Sequence, residues 1–202
     1  MKKRFLLAFL TGVAFTSCII VILGNLPSKA AAASTIQLSA QDVLAIIARP
    51  LPDGSAQGFY LPNVNLSGVN LIGVNFAHAL LSNSNLSHST FTNGDFTQAT
   101  LQEVNLEGAS LDNAILDNAW LYVADLKHAE IAYSSFKKAN LEDADLSGAK
   151  LRGDDFSGAN LTGVKFTGAS CDGLVLDGAT LPNGSVYQYR QGDNEDALLC
   201  GA

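Results

Sequence analysis

The feature that most limits what this chain can become is a period of five. Every fifth residue from Leu61 to Leu181 is apolar: all 25 positions obey, six of them Phe, and no insertion breaks the register. A helix repeats every 3.6 residues and a strand every two, so neither produces this pattern. Two residues before each central position lies a small one. Of the 24 such sites from 64 to 179, 13 are Ala, 5 Val, 3 Ser and 1 Gly, with Asp154 and Leu174 as departures where a local distortion is expected. Asn or Asp often precedes the centre, as in Asn65, Asn70, Asp125 and Asp145, and Gly often follows it by two, from Gly148 through Gly178. A five-residue unit cannot bury a hydrophobe alone, so each must be one side of a coil stacked on its neighbours.

A second period gives the number of sides. Steps of 20 from Leu61 reach Leu81, Leu101, Leu121, Leu141, Leu161 and Leu181, all Leu. Steps of 20 from Phe76 reach Phe96, Leu116, Phe136, Phe156 and Leu176, a column holding four of the six central phenylalanines. Segregated Leu and Phe columns fit four sides per coil, since rings in successive coils can then stack. At about 4.8 Å per coil, the repeats predict a rod about 30 Å long.

The units Ala139-Asn140-Leu141, Ala144-Asp145-Leu146 and Ala159-Asn160-Leu161 match the A-(D/N)-L-x-x pattern of the pentapeptide-repeat family, which this chain resembles over about 120 residues. The resemblance implies an all-β, right-handed quadrilateral β-helix with the central and small residues inward. With an exported leader and short helical caps expected at both ends, the chain resembles the subset found in cyanobacteria and chloroplast thylakoid lumens.

Outside the repeat, residues 1–33 read as a secretory signal peptide: a basic start (Lys2, Lys3, Arg4), an apolar run from Phe5 to Gly24, and small residues from Ser28 to Ala33. Ala30 to Ala33 offers several cleavage registers, and a retained anchor is the alternative, because the apolar run is about long enough to span a bilayer. Contact with the membrane is expected only through this leader. Residues 34–60 are expected to form a capping helix and connector: Ser39 can cap, Val43, Leu44, Ile46 and Ile47 form an apolar face, and Pro50 stops the helix near Ala48. The β-helix is placed at 61–184. Residues 185–202 form the C-terminal cap, where Asp193 or Asn194 can cap a short helix carrying Ala197, Leu198 and Leu199.

Composition narrows the function. The chain has 12 Lys plus Arg against 19 Asp plus Glu, and loss of the leader would leave 8 bases against 19 acids, a net charge of −11. That balance opposes an electrostatically driven nucleic-acid binder. His78, His88 and His128 all fall two residues after a central position, outward or in turns, with His88 and His128 two coils apart and so too distant to share a metal. No nucleophile motif with a matched base appears; an enzyme, a cofactor and a metal site are not expected. Columns of stacked side chains predict Glu130 against Lys150 and Asp117 against Lys137.

Two features mark candidate sites. Trp120 and Tyr122 flank inward Leu121 and should be outward, with Leu80 and Ile115 at nearby outward sites, together a candidate partner-binding patch. Cys171 occupies a central position in the last full coil and Cys200 ends the cap that must return over it, so a disulfide between them is expected if the compartment is oxidising, two free thiols being the alternative. The resulting expectation is an exported, non-enzymatic rod that binds an unidentified protein partner in a thylakoid lumen or periplasm. The alternative is a DNA-mimicking topoisomerase inhibitor, as in the quinolone-resistance relatives. Its acidity fits, but those relatives act in the cytoplasm.

Overall fold

In each repeat the central residue opens a four-residue turn that the next small residue closes. Val74 N–H donates to Leu71 O at 3.1 Å and Ala79 N–H to Phe76 O at 2.9 Å. The third residue of every turn from Asn63 to Gly178 has a left-handed φ, from 54° at Glu103 to 72° at Gly178. A type II turn requires a positive φ there, which explains why Gly and Asn favour this position. Repeated at every fifth residue, the turn bends the chain into a four-sided coil.

The computed structural model describes residues 58–201. Its coils pair in parallel at a constant offset of 20 residues along all four sides, for example Asn65 with Asn85, Asn85 with Asn105, and Asn105 with Asp125. Leu66 N–H donates up to Asn85 O at 2.7 Å, and Asn85 N–H donates back to Val64 O at 2.8 Å. On one side the pairing widens into three-residue strands: β1 (Glu130–Ala132), β2 (Lys150–Arg152) and β3 (Ser170–Asp172), in the order β1-β2-β3. The ladder already includes Tyr60, paired with Leu80, so the stack starts within the predicted connector. The predicted leader and N-terminal capping helix lie outside the described residues.

The bore is filled by the periodic residues. All central positions are buried except Cys171 and Leu181, which are half-buried at the C-terminal end. Phe136 and Phe156 stack with centroids 4.8 Å apart and planes at 15°, while Phe76 and Phe96 lie 5.5 Å apart and tilted. Phe91 meets Phe96 edge-on at 5.4 Å and so joins adjacent sides.

The polar occupants of small sites carry hydrogen bonds that the period alone does not reveal. Ser84 Oγ accepts from Val64 N–H at 3.2 Å and donates to Leu61 O at 3.0 Å, which inserts a hydroxyl into the turn of the preceding coil. Ser89 does the same for Val69 and Leu66. Asp154 is fully buried, and its two oxygens accept from Ser134 N–H at 2.8 Å and Arg152 N–H at 2.9 Å. The expected distortion therefore takes a defined form: on the side of β1–β3 a carboxylate takes the Ser134 N–H. Leu174, also buried, gives its N–H to Asp196 Oδ1 at 3.0 Å.

After the last coil, Val186 pairs antiparallel with Thr180 and the chain enters helix α1 (Glu195–Cys200). Asn194 is its N-cap, its side chain accepting from Ala197 N–H at 3.3 Å. Leu199 is buried against the core, Leu198 faces out, and Cys171 and Cys200 form a disulfide with Cα atoms 5.9 Å apart.

Candidate interaction face

Pairing at an offset of 20 sorts every outward side chain onto one of four faces. The face built around Leu121 carries the column Tyr60, Leu80, Thr100, Trp120, Asn140, Asn160 and Thr180. Trp120 is 49% exposed and Val123, at the corner beyond half-buried Tyr122, is 42% exposed. Trp120 and Tyr122 therefore share a face, as their positions on either side of Leu121 require. Leu80 lies on that face too, but two coils away with Thr100 between, and it is half-buried. Ile115, 43% exposed, belongs to the neighbouring column of Asp95 and Ser135. The ladder thus groups Trp120 with Tyr122 and Val123, and separates them from Leu80 and Ile115. Val123 carries no periodic signal as a surface residue; its place is found only by reading the turn column Glu103, Val123, Asp143.

Val123 has φ 57°, a left-handed conformation that is an outlier for a β-branched residue. Most other residues in these corners suit the geometry. His78, His88 and His128 have φ 59°, 55° and 56°, and His is among the types enriched there. The His88 and His128 rings lie over Gly108 and Gly148 of the following coil, so closely that a Cβ on either glycine would come within 2.5 Å of Nδ1. Among the described residues, no three His, Cys, Asp or Glu side chains converge as metal ligands would.

The other faces hold most of the repeat's cations, and Lys127, Lys137, Lys150, Arg152 and Lys165 each lie beside a carboxylate. Lys150 Nζ lies 2.7 Å from Glu130, Lys127 2.9 Å from Asp125, and Arg152 Nε 3.6 Å from Asp172. Lys137 pairs with Asp155 at 3.0 Å rather than with Asp117 as expected. Asp117 instead accepts from Lys137 N–H and Ser135 Oγ, and the ammonium reaches the diagonal carboxylate. Hydrogen bonds to their carboxylate partners hold the Lys127, Lys137 and Lys150 ammonium pKa values above the usual lysine range. Arg152 also seats its guanidinium 5.8 Å above the Tyr133 ring.

At the C-terminal end two acids replace a missing coil. Within the stack a central N–H donates to the carbonyl 19 residues on, as Phe156 does to Val175 at 2.8 Å. Leu176 would need residue 195; the Glu195 side chain accepts its N–H at 2.8 Å. Asp196 takes Gly173 N–H and Leu174 N–H at 2.9 and 3.0 Å. Tyr187 O–H donates to Asp193 at 3.1 Å, and burial together with Asp193 and Glu195 pushes its pKa up to about 12.

A closed four-sided stack of five-residue turns with flat outer faces is the architecture of a pentapeptide solenoid. Two models described as pentapeptide repeats match, one at residues 60–98 and 91–127 and one at residues 136–180, together more than half of the chain. The chain belongs to the pentapeptide-repeat family. Among solved structures it is similar to Rfr23, a pentapeptide repeat protein from the cyanobacterium Cyanothece 51142, with 28% identity, 57% of this chain and 90% of that chain covered, and a TM-score of 0.43. It is also similar to a pentapeptide repeat protein from the Arabidopsis thaliana thylakoid lumen, with 22% identity, 57% and 74% covered, and a TM-score of 0.40. A trypsin-treated form of QnrB1, a plasmid-mediated fluoroquinolone resistance protein, is 17% identical, with 61% and 71% covered and a TM-score of 0.34. No curated protein matches the chain.

Proposed function

We propose that this chain is an exported, non-enzymatic interaction or scaffold protein: a rigid acidic rod, right-handed as its family resemblance implies and closed by helical lids, that presents flat faces to a protein partner. The observation that carries this reading is the unbroken ladder from Tyr60 to Val186, in which every repeat contributes to the wall of the rod. Its chemically capable side chains have structural work: the histidines form corners, Asp154 holds a turn, and Glu195 and Asp196 satisfy the open end. The Cys171–Cys200 bond supports maturation in an oxidising compartment, the periplasm or a thylakoid lumen. The Trp120–Tyr122 patch, with Leu80 and Ile115 further off, is the contact surface. Fractionation of the native protein with mass spectrometry tests the reading. A shortened product inside a membrane-enclosed compartment is expected. A cytoplasmic, full-length product would overturn it and favour the DNA-mimicking alternative.

A further inference from the structure

The face that carries Trp120 differs from the other three in charge. Among residues 60–183 the columns from Trp120 to Val123 contain no Lys or Arg, whereas Lys127, Lys137, Lys150, Arg152 and Lys165 fall on the remaining faces and Lys138 stands at the corner just before Asn140. Around Trp120, Tyr122 and Val123 stand three acids: Glu103 one coil before, and Glu142 and Asp143 one coil after. None of the three makes an ion pair among the described residues; Glu103 and Glu142 accept only from the neutral amides of Gln102 and Asn160. The protein itself supplies the comparison. Beside β1–β3, an aromatic ring (Tyr133), a guanidinium (Arg152) and a carboxylate (Asp172) form a complete set across successive coils. On the Trp120 face the ring and the carboxylates are present and the cation is missing.

We propose that this face docks a polypeptide segment of a partner protein that presents Arg or Lys next to an aliphatic residue. The cation would lie over the Trp120 ring, within reach of Glu142 and Asp143, while the aliphatic side chain packs on Tyr122 and Val123. Indole is the strongest cation–π acceptor among side chains. Arginine suits the position best, because its planar fork can stack on the ring and bind a carboxylate at once. An outward ring flanked by aliphatic surface and rimmed by acids also has the composition of a binding hot spot. The inference rests on the reading of this protein as an interaction module and names its partner's chemistry.

Trp120 is the sole tryptophan of the chain, so its fluorescence reports from this face alone. The probe is a short synthetic peptide alternating Arg and Leu, with a glutamate-for-arginine version as control. The purified protein should show a saturable change in Trp120 emission with the first peptide and none with the second. Anisotropy of the labelled peptide should show affinity falling about tenfold in Trp120→Ala and in Glu142→Gln/Asp143→Asn. It should stay unchanged in Asp172→Asn/Asp177→Asn, which removes the same charge from other faces. Unchanged melting temperatures for the variants certify their folds. Equal losses in both acidic double variants would mean a diffuse attraction to an acidic rod and would overturn the proposal. So would equal binding of the glutamate peptide, no binding at all, or a Trp120→Ala change in the sedimentation of the protein alone, which would make the face a self-contact. The interaction-module reading is judged separately, by compartment and processing, and survives any of these failures.

Discussion

Asp154 sets this rod's response to pH. Its carboxyl is fully buried at a site where the repeat normally places alanine, and no cation faces it. Burial pushes its pKa up to about 7, with the Asp112 charge adding to the shift, and two backbone N–H bonds only partly offset this. A carboxyl whose folded pKa lies above its unfolded value favours the folded state when protonated. Its destabilising effect is therefore absent below about pH 4 and grows as pH rises toward 7. The shift sets a ceiling of about 4 kcal/mol. Asp145 and Asp155 act oppositely: burial raises them, but the Ser147 or Ser157 hydrogen bonds and nearby lysines outweigh it and leave both lowered. Their support is lost only below about pH 4. Denaturant midpoints should accordingly rise from pH 7.5 to a maximum near pH 4–5, and Asp154→Ala should flatten that slope; equal slopes in the two proteins would assign the effect elsewhere. Burial also separates two aromatic residues. Phe136, stacked and fully buried, should lose about 3–5 kcal/mol on truncation to Ala, whereas exposed Trp120→Ala should stay within about 0.5 kcal/mol. Comparable losses would contradict the inward–outward register.

At the scale of the turn, what matters is which side chain lies over which backbone. Gly148 has φ 69°, and the His128 ring occupies the space a Cβ would need. Gly148→Ala therefore meets two obstacles, the left-handed backbone at about 1 kcal/mol and the collision with the ring. Combining it with His128→Ala should recover the second part and leave the first. A thermal double-mutant cycle checks this, and a strictly additive result would mean the ring simply swings away. The sequence column His128–Gly148, like His88–Gly108 and Tyr133–Gly153, already holds this pairing of a bulky corner with a following glycine. The period of five showed each as a turn residue; only reading along the steps of 20 shows one lying on the other. Ion pairs were less legible for a related reason. Straight columns predict Glu130 with Lys150, which is present at 2.7 Å, but the wall also brings residues 18 apart together, as in Lys137–Asp155 and Ser135–Asp117. A lysine can reach the straight or the diagonal neighbour, and both Lys137 and Lys127 settle on a carboxylate that also accepts a backbone N–H, so the column alone does not name the partner.

On the scale of the whole molecule, regularity is what made the fold readable and the function opaque. Periods of five and 20 specify the cross-section, the bore and its Phe column, because each coil repeats the same physical problem. A partner face breaks no period, so Val123 and the absence of bases around Trp120 emerge only once columns are assigned to faces. The same near-neighbour architecture decides how the rod comes apart. Each coil touches only the coils beside it, so stability is a sum of local interfaces and opening begins at an end. The C-terminal end is held by Leu199, by the Glu195 and Asp196 carboxylates on three backbone N–H groups, and by the Cys171–Cys200 bond. That bond closes a segment of 29 residues, a constraint of roughly 3–4 kcal/mol on the chain-entropy model. Alkylation and mass spectrometry of the unreduced protein should find neither cysteine free. Cys200→Ser should then raise hydrogen exchange first at Gly173, Leu174 and Leu176, whose acceptors sit on the released helix. Amides of the middle coils, such as Leu121 and Trp120, bonded to Asn140 and Ala99, should keep their protection. Uniform loss along the rod would mean instead that the stack unfolds as one cooperative unit and that the cap bond stabilises every coil equally.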